Sequence, residues 1–295
     1  RVIWRMVPSP SNRRALLERG DADVSYDLPS KDFSELKSVA SLKVVSTPFS
    51  NGIQYIGMNV TQPPFNDPRV RKAVAYAIPY QKIMDAVLFG LGKPMFGRKP
   101  GSPTEVAWPQ PHAYDTDIAK AKQLMAEAGL ANGFDTTLSF DLGFAVVNEP
   151  LCILVQESLA QIGIRTTINK IPGANWRTEL TKKTLPLYTN VFSGWLDYPE
   201  YFFFWCYDGQ NSIFNTMSYK NPEMDKLIAA ARNSAAIGDK PTYESSVKGF
   251  VDLAFEDVPR IPLFQPYSNI AMQKNVDGYA YWFHRRLDYR TMSKG

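Results

Sequence analysis

The sequence is poor in the residues that announce catalysis or metal binding, with two histidines and two cysteines among 295 residues. His112 and His284 stand far apart, and neither has Cys, His, Asp or Glu at metal-ligand spacing. No metal is expected. Cys152 and Cys206 make no framework; one disulfide between them stays open, and buried free thiols suit their apolar neighbours. No stretch reaches the roughly eighteen consecutive apolar residues of a membrane helix. Basic residues cluster no further than pairs such as Arg13-Arg14 and Arg285-Arg286, and the formal net charge is only +4. That balance argues against a nucleic-acid partner, because phosphate binding needs a concentrated basic face. Also missing are the G-x-S-x-G nucleophile elbow, the G-x-x-x-x-G-K phosphate loop, the G-x-G-x-x-G fingerprint and H-E-x-x-H, so no cofactor is implied.

Aromatic residues, by contrast, are concentrated. From Trp195 to Tyr207 the chain reads WLDYPEYFFFWCY, eight aromatics in thirteen residues, with Asp197, Glu200 and Cys206 as the reactive polar side chains. The run shows neither the alternation of a half-buried strand nor the three-and-four spacing of a core helix. Crowded rings around one or two carboxylates suit a pocket that desolvates a ligand and keeps an acceptor for a cationic or hydrogen-bonding group. An aromatic core segment with Asp197 as a turn residue is the other reading.

The remaining pattern is mixed α/β. Strand-like segments are Val2–Val7, Asp23–Tyr26, Gln54–Asn59, Thr136–Asp141, Ile164–Ile171, Leu187–Phe192 and Pro262–Gln273. Asp67-Pro68 and Asn221-Pro222 offer a cap and a proline at the first helical position, each followed by a helically spaced apolar face. Further helices are expected over Arg13–Glu18, Tyr80–Leu88, from Asp115 to a stop at Gly129, Pro150–Ile162 and Thr242–Phe255. Five prolines between Gly92 and Pro111 predict an extended loop. Strand, helix and strand over 136–171 form a βαβ unit. Apolar content of 44% and charged content of 21% are those of a globular protein, and 295 residues suffice for two domains.

Five segments, in order, carry a family resemblance. They are RMVPS from Arg5 with RALLERGDADV from Arg14; YIGMN from Tyr55 with PFNDPRVRKAVAYAI from Pro64; YD at Tyr114 with AKAKQLMAEAG from Ala119 and NGF at Asn132; LAQIGI from Leu159; and WLDY from Trp195. Together they resemble the dipeptide- and oligopeptide-type solute-binding proteins of ABC importers, extracellular solute-binding family 5. The resemblance implies a periplasmic-binding-protein-like two-lobed α/β fold of the large type II cluster. Residues 1–61 would be a partial lobe I, 62–261 a complete lobe II, and 262–295 the return to lobe I through the hinge. It also implies that the chain is the later part of a longer one, with the missing portion of lobe I supplied elsewhere, as another chain for instance.

Such proteins capture a solute between two lobes and deliver it to a membrane permease. The implied setting is periplasmic, or a lipid-anchored extracytoplasmic surface. By the resemblance, Asp197 would pair with a peptide's α-ammonium between Trp195 and Tyr198, although Asp197 follows the tryptophan by two residues where relatives often have three. The segment from Leu142 to Pro150 lacks the arginine expected of a dipeptide binder, though Phe144 and Asn148 could line a pocket. That gap shifts weight toward longer peptides, opines, oligosaccharides or other polar solutes. Arg177 is either a substitute cation or a solvated helix residue, and Phe214 and Asn215 sit where relatives approach the ligand. The rival class is a glycoside hydrolase using Asp197 and Glu200, which three-residue spacing in a proline-containing turn serves poorly. A membrane-docked chaperone or adhesin-like module is a third class, with no positive feature in the sequence.

Overall fold

A computed structural model describes residues 1–48, 52–94, 114–196, 198–282 and 287–295. His112, Asp197, His284 and most of the proline-rich loop lie outside the described residues. The chain divides into two compact units. One comprises Arg1–Ser50, Lys82–Lys93 and Gln265–Gly295, the other Asn51–Gln81 and Pro94–Phe264. Beside the boundaries expected at residues 61 and 262, two assignments stand out. Strand Gly52–Met58 belongs to the larger unit, where it is paired on both sides, and Lys82–Lys93 belongs to the smaller.

In the smaller unit, the later part of strand Arg260–Gln273 pairs antiparallel with Leu42–Pro48 and with Val24–Ser25. Helices Pro10–Glu18 and Ser30–Leu36 bury Leu17, Phe33 and Leu36 with Leu42 and Ala271. Opposite, Ile270, Met272 and Val276 form a second cluster, as the two-residue period of a strand requires. The alternating segment Val2–Val7 does not form a strand: it finds no ladder partner among the described residues, and Val2, Ile3, Trp4 and Met6 are all more than half exposed. Alternation supplies a face, but a strand also needs a neighbour for its backbone groups.

The larger unit is built on a mixed sheet. The start of strand Arg260–Gln273 pairs with Gly52–Met58, which pairs antiparallel with Leu187–Ser193; Phe134–Asp141 and Ile164–Ile171 follow in parallel. The βαβ unit is present, with the crossover helix Ala145–Ala160 packed against its two strands. This helix starts five residues before Pro150. Residues 142–149, ahead of the helix expected from Pro150, are already helical, and the proline forfeits one backbone bond inside the helix. Leu142–Ala160 is long and apolar enough to cross a membrane by length and composition alone. Here Leu151, Cys152, Val155 and Leu159 are core residues.

Helix starts follow the cap chemistry. The side chains of Asp67, Asp117, Asn221 and Asp239 each accept a backbone N–H from the first turn of the helix they open. Both cysteines are free and buried. Burial pushes the Cys152 thiol up to about 12, which leaves it protonated and unreactive.

Candidate functional site

The aromatic run is a helix, Pro199–Tyr207, with Pro199 in its first turn. Its rings lack a single-face period because almost the whole surface is packed. Phe203 stacks on Tyr207 and on Phe250, with centroids 4.6 and 4.1 Å apart. On another side Phe202 meets Phe192 edge-on at 5.3 Å, and Trp205 meets Phe214 at 5.5 Å and 89°. Such edge-to-face contacts fix ring orientation as well as burying area. Gly194 lets the preceding chain pass close to this helix, since a Cβ there would lie 2.6 Å from Tyr201 Cε1.

Beside this helix lies a cavity of about 720 Å³ contained in the larger unit. One wall comes from the antiparallel pair Gly52–Met58 and Leu187–Ser193, in which Tyr55 lies opposite Asn190. Asn190 and Phe192 share a strand face, and both line the cavity. A second wall is helix Gly173–Lys182. Trp176 and Leu180 are buried on it, one turn apart, and the adjacent pair Arg177 and Thr181 also borders the cavity. Trp195, Tyr201, Trp205 and Phe214 complete most of the rest.

Hydrogen bonds hold this wall rigid. Asn190 Oδ1 accepts from Trp176 Nε1 at 3.0 Å, and its Nδ2 donates to the Tyr55 hydroxyl at 3.1 Å. One amide therefore sets both the indole and the phenol ring. Tyr188 Oη and Thr216 Oγ1 share a hydrogen bond of 2.5 Å, and burial raises the Tyr188 phenol well above its usual range. Arg177 lies over the Phe214 ring, with Cζ 5.9 Å from its centroid. Among the described lining residues Arg177 is the one that carries a charge.

Behind the wall sits Arg260, 2% exposed. Its Cζ is 3.8 Å from the centroid of Tyr55 and 5.5 Å from that of Tyr207. Nη2 donates to Met217 Sδ at 3.1 Å and reaches the Phe214 carbonyl at 3.4 Å, while Nε and Nη1 find no acceptor. Burial raises the neighbouring Cys206 thiol, and Arg260 offsets part of that rise.

The structure sorts the sequence-predicted residues by position. Trp195 and Phe214 line the cavity, Trp195 with 73% of its surface exposed. Asp197 lies outside the described residues, between Leu196 on the lining and an exposed Tyr198 that is not on it. Phe144 is half exposed and away from the lining. Asn148 is buried, accepting from Gln54 Nε2 at 3.2 Å and donating to the Asp141 carbonyl at 3.4 Å. Asn215 is buried too; its Nδ2 donates to the carbonyls of Tyr219 and Asp208, and its Oδ1 accepts from Tyr219 N. Glu200 Oε2 accepts from Tyr243 Oη at 2.7 Å. Trp176, Asn190, Tyr55 and Arg260 did not emerge from the sequence reading. The pairing of Trp176 with Leu180 at i, i+4 was the available signal for the first; nothing local marked the others.

A two-unit α/β protein with an aromatic, ligand-sized cavity in its larger unit fits the class of solute-binding proteins. The family model for bacterial extracellular solute-binding proteins, family 5, matches residues 1–214, and the chain belongs to that family. It is 31% identical over 286 residues to the glutathione-binding protein GsiB of Salmonella choleraesuis, covering 94% of this chain and 54% of that protein. GsiB of Escherichia coli K12 is 28% identical over the same length. The chain thus spans about half the length of the curated relatives it matches. Among solved structures, the periplasmic binding protein DppA of Helicobacter pylori in complex with the peptide STSA aligns with a TM-score of 0.84 and 21% identity, covering 98% of this chain and 56% of that one. A dipeptide binding protein of Pseudoalteromonas in complex with Met-Leu aligns at 0.83 and 22%, covering 98% and 57%. At these identities the structural likeness speaks to the fold.

Proposed function

We propose that this chain is part of the extracytoplasmic solute-binding component of an ABC importer, capturing a peptide or peptide-like solute for delivery to a membrane permease. The observation that carries the reading is the cavity in the larger unit. It is walled by rings that desolvate a bound group, with a few fixed polar atoms to orient it. Membership of family 5 and the peptide- and glutathione-binding relatives support it. Trp195 and Phe214 act as direct contacts, and Asp197 accepts the solute's ammonium in a charge-assisted hydrogen bond. Asn148 and Asn215 serve by holding the local backbone. The compartment in this reading is the periplasm or an equivalent outer surface.

Capture without turnover is part of the proposal. Relatives are named as binding proteins, and Glu200 is tied by Tyr243 to helix Lys240–Asp257 rather than set into the cavity. That arrangement favours a binding pocket over the paired, opposed carboxylates of a glycosidase. The test is isothermal titration of the whole chain with glutathione, dipeptides and tri- to pentapeptides, alongside native mass spectrometry of the protein as purified. Saturable one-to-one binding with unmodified solute recovered is the expected result. No binding across the panel, or cleavage of a sugar substrate, overturns it.

A further inference from the structure

We infer that Tyr55 is a preset hydrogen-bond donor to the solute, and that the cavity of the larger unit selects a peptide carbonyl oxygen at that point. The inference deepens the capture reading and rests on it. It follows from what each member of one chain of side chains can donate or accept. An indole N–H only donates, so the Asn190 atom 3.0 Å from Trp176 Nε1 is the amide oxygen. The amide nitrogen is then the atom 3.1 Å from the Tyr55 hydroxyl, and it too only donates. The Tyr55 oxygen is therefore the acceptor in this contact, and its own hydrogen is left over. No acceptor for that hydrogen occurs among the described residues.

Sheet register puts this unspent donor at the cavity wall. Tyr55 lies opposite Asn190 in the antiparallel pair, so both side chains stand on one face of the sheet, and both line the cavity. Arg260 covers one face of the phenol ring, with Cζ 3.8 Å from the centroid, and Tyr188 packs edge-on against it at 6.3 Å. Tyr55 is only 2% exposed, and a donor left unmet in such surroundings is costly. The bond from Asn190 and the cation behind the ring both draw electron density from the hydroxyl, which strengthens donation by its hydrogen. Other hydroxyls of the lining are engaged or lie at the rim. Thr181 donates to the Thr178 carbonyl at 2.9 Å, Thr216 shares a hydrogen bond with Tyr188, and Ser193 is exposed. A single neutral donor fixed between rings matches one carbonyl of a planar peptide group, and Asn190 already holds the hydroxyl in place, so little ordering remains for binding to supply. Asp197 in the capture reading serves the solute's ammonium, a different group, and the two contacts do not compete.

The test is a cycle of one substitution in the protein against one atom in the probe, read by calorimetric titration of the whole chain. The probes are the dipeptide Met-Leu and its thioxo analogue, in which sulfur, a weaker acceptor, replaces the peptide carbonyl oxygen. Wild type is expected to bind Met-Leu about fivefold tighter than the analogue, the size of one neutral hydrogen bond. Y55F keeps the ring and its packing and removes the hydroxyl. It should weaken Met-Leu by about fivefold and bring the two probes within about twofold of each other. Loosening of the wall by loss of the Asn190 contact would instead weaken both probes alike and leave their ratio unchanged, and the sulfur's greater size cancels in the same comparison. A ratio that survives Y55F, equal binding of the two probes by wild type, or binding of neither overturns the inference. In each of those cases peptide capture still stands or falls on the rest of the panel above, which separates the two failures.

Discussion

Arg71 and Arg260 both lie in the core of the larger unit, 6% and 2% exposed, yet their surroundings differ in kind. Arg71, on helix Pro68–Ala77, donates Nε to the Asp257 carbonyl at 2.7 Å and Nη1 to the Phe65 carbonyl at 2.8 Å. It ties a helix, a turn and the end of helix Lys240–Asp257 together. Arg260 meets rings, a thioether and a thiol, and two of its nitrogens have no acceptor. A buried cation whose bonds are filled is a structural clamp. One left short of acceptors is a cost to the fold.

Substitutions can break this contrast, starting where the loss is greatest. Arg71→Met strands two buried carbonyls and should lower unfolding free energy by about 3 kcal/mol, read from urea denaturation. Asn190→Leu frees the Trp176 indole and the Tyr55 hydroxyl from their shared amide. It should cost about 1.5 kcal/mol and weaken solute binding as well, seen by running denaturation and calorimetry on the same variant.

Asp67→Ala removes the cap of the Arg71 helix and should cost about 1 kcal/mol near neutral pH. The Arg69 side chain holds the Asp67 carboxyl below the usual carboxylate range. Its contribution is therefore present above the unfolded carboxyl pKa and lost as pH falls through the lowered one. Wild type and variant should converge in acid, and a gap that persists there would remove the cap from the account.

The smallest effect is expected at Arg260→Met, within about 1 kcal/mol of wild type or slightly stabilising, because the thioether fills the volume without an unpaired charge. A loss as large as that at Arg71 would erase the distinction between the two arginines.

Much of this architecture is legible in the sequence where chemistry is local. Asp67-Pro68 and Asn221-Pro222 announce helices because cap and proline act within four residues. Ile164–Ile171 alternates because one face is packed and the other is not. Helix Pro199–Tyr207 is not legible that way. Its rings are packed around most of the helix, so the 3.6-residue period is erased. Val2–Val7 misleads in the opposite sense, with a strand's alternation and no ladder. In the candidate site, the aromatic run is the part of the cavity lining that the sequence singles out, through Trp195 and the helix that follows it. The opposing wall did not show, since Tyr55, Trp176 and Asn190 lie far apart in the chain and meet only through sheet register and one amide. Arg260 sits at the start of an apolar strand, where a lone cation reads as a surface residue.

The central claim is that the solute occupies the aromatic cavity of the larger unit. Three of the six tryptophans, Trp176, Trp195 and Trp205, line it. The most direct measurement is a tryptophan fluorescence titration with the tightest peptide of the panel, repeated after changing each of these three to Phe. A saturable change in the wild type that shrinks stepwise in W176F, W195F and W205F is the predicted result. Binding that leaves the fluorescence unaltered, or a change indifferent to all three substitutions, would place the solute elsewhere and contradict the account.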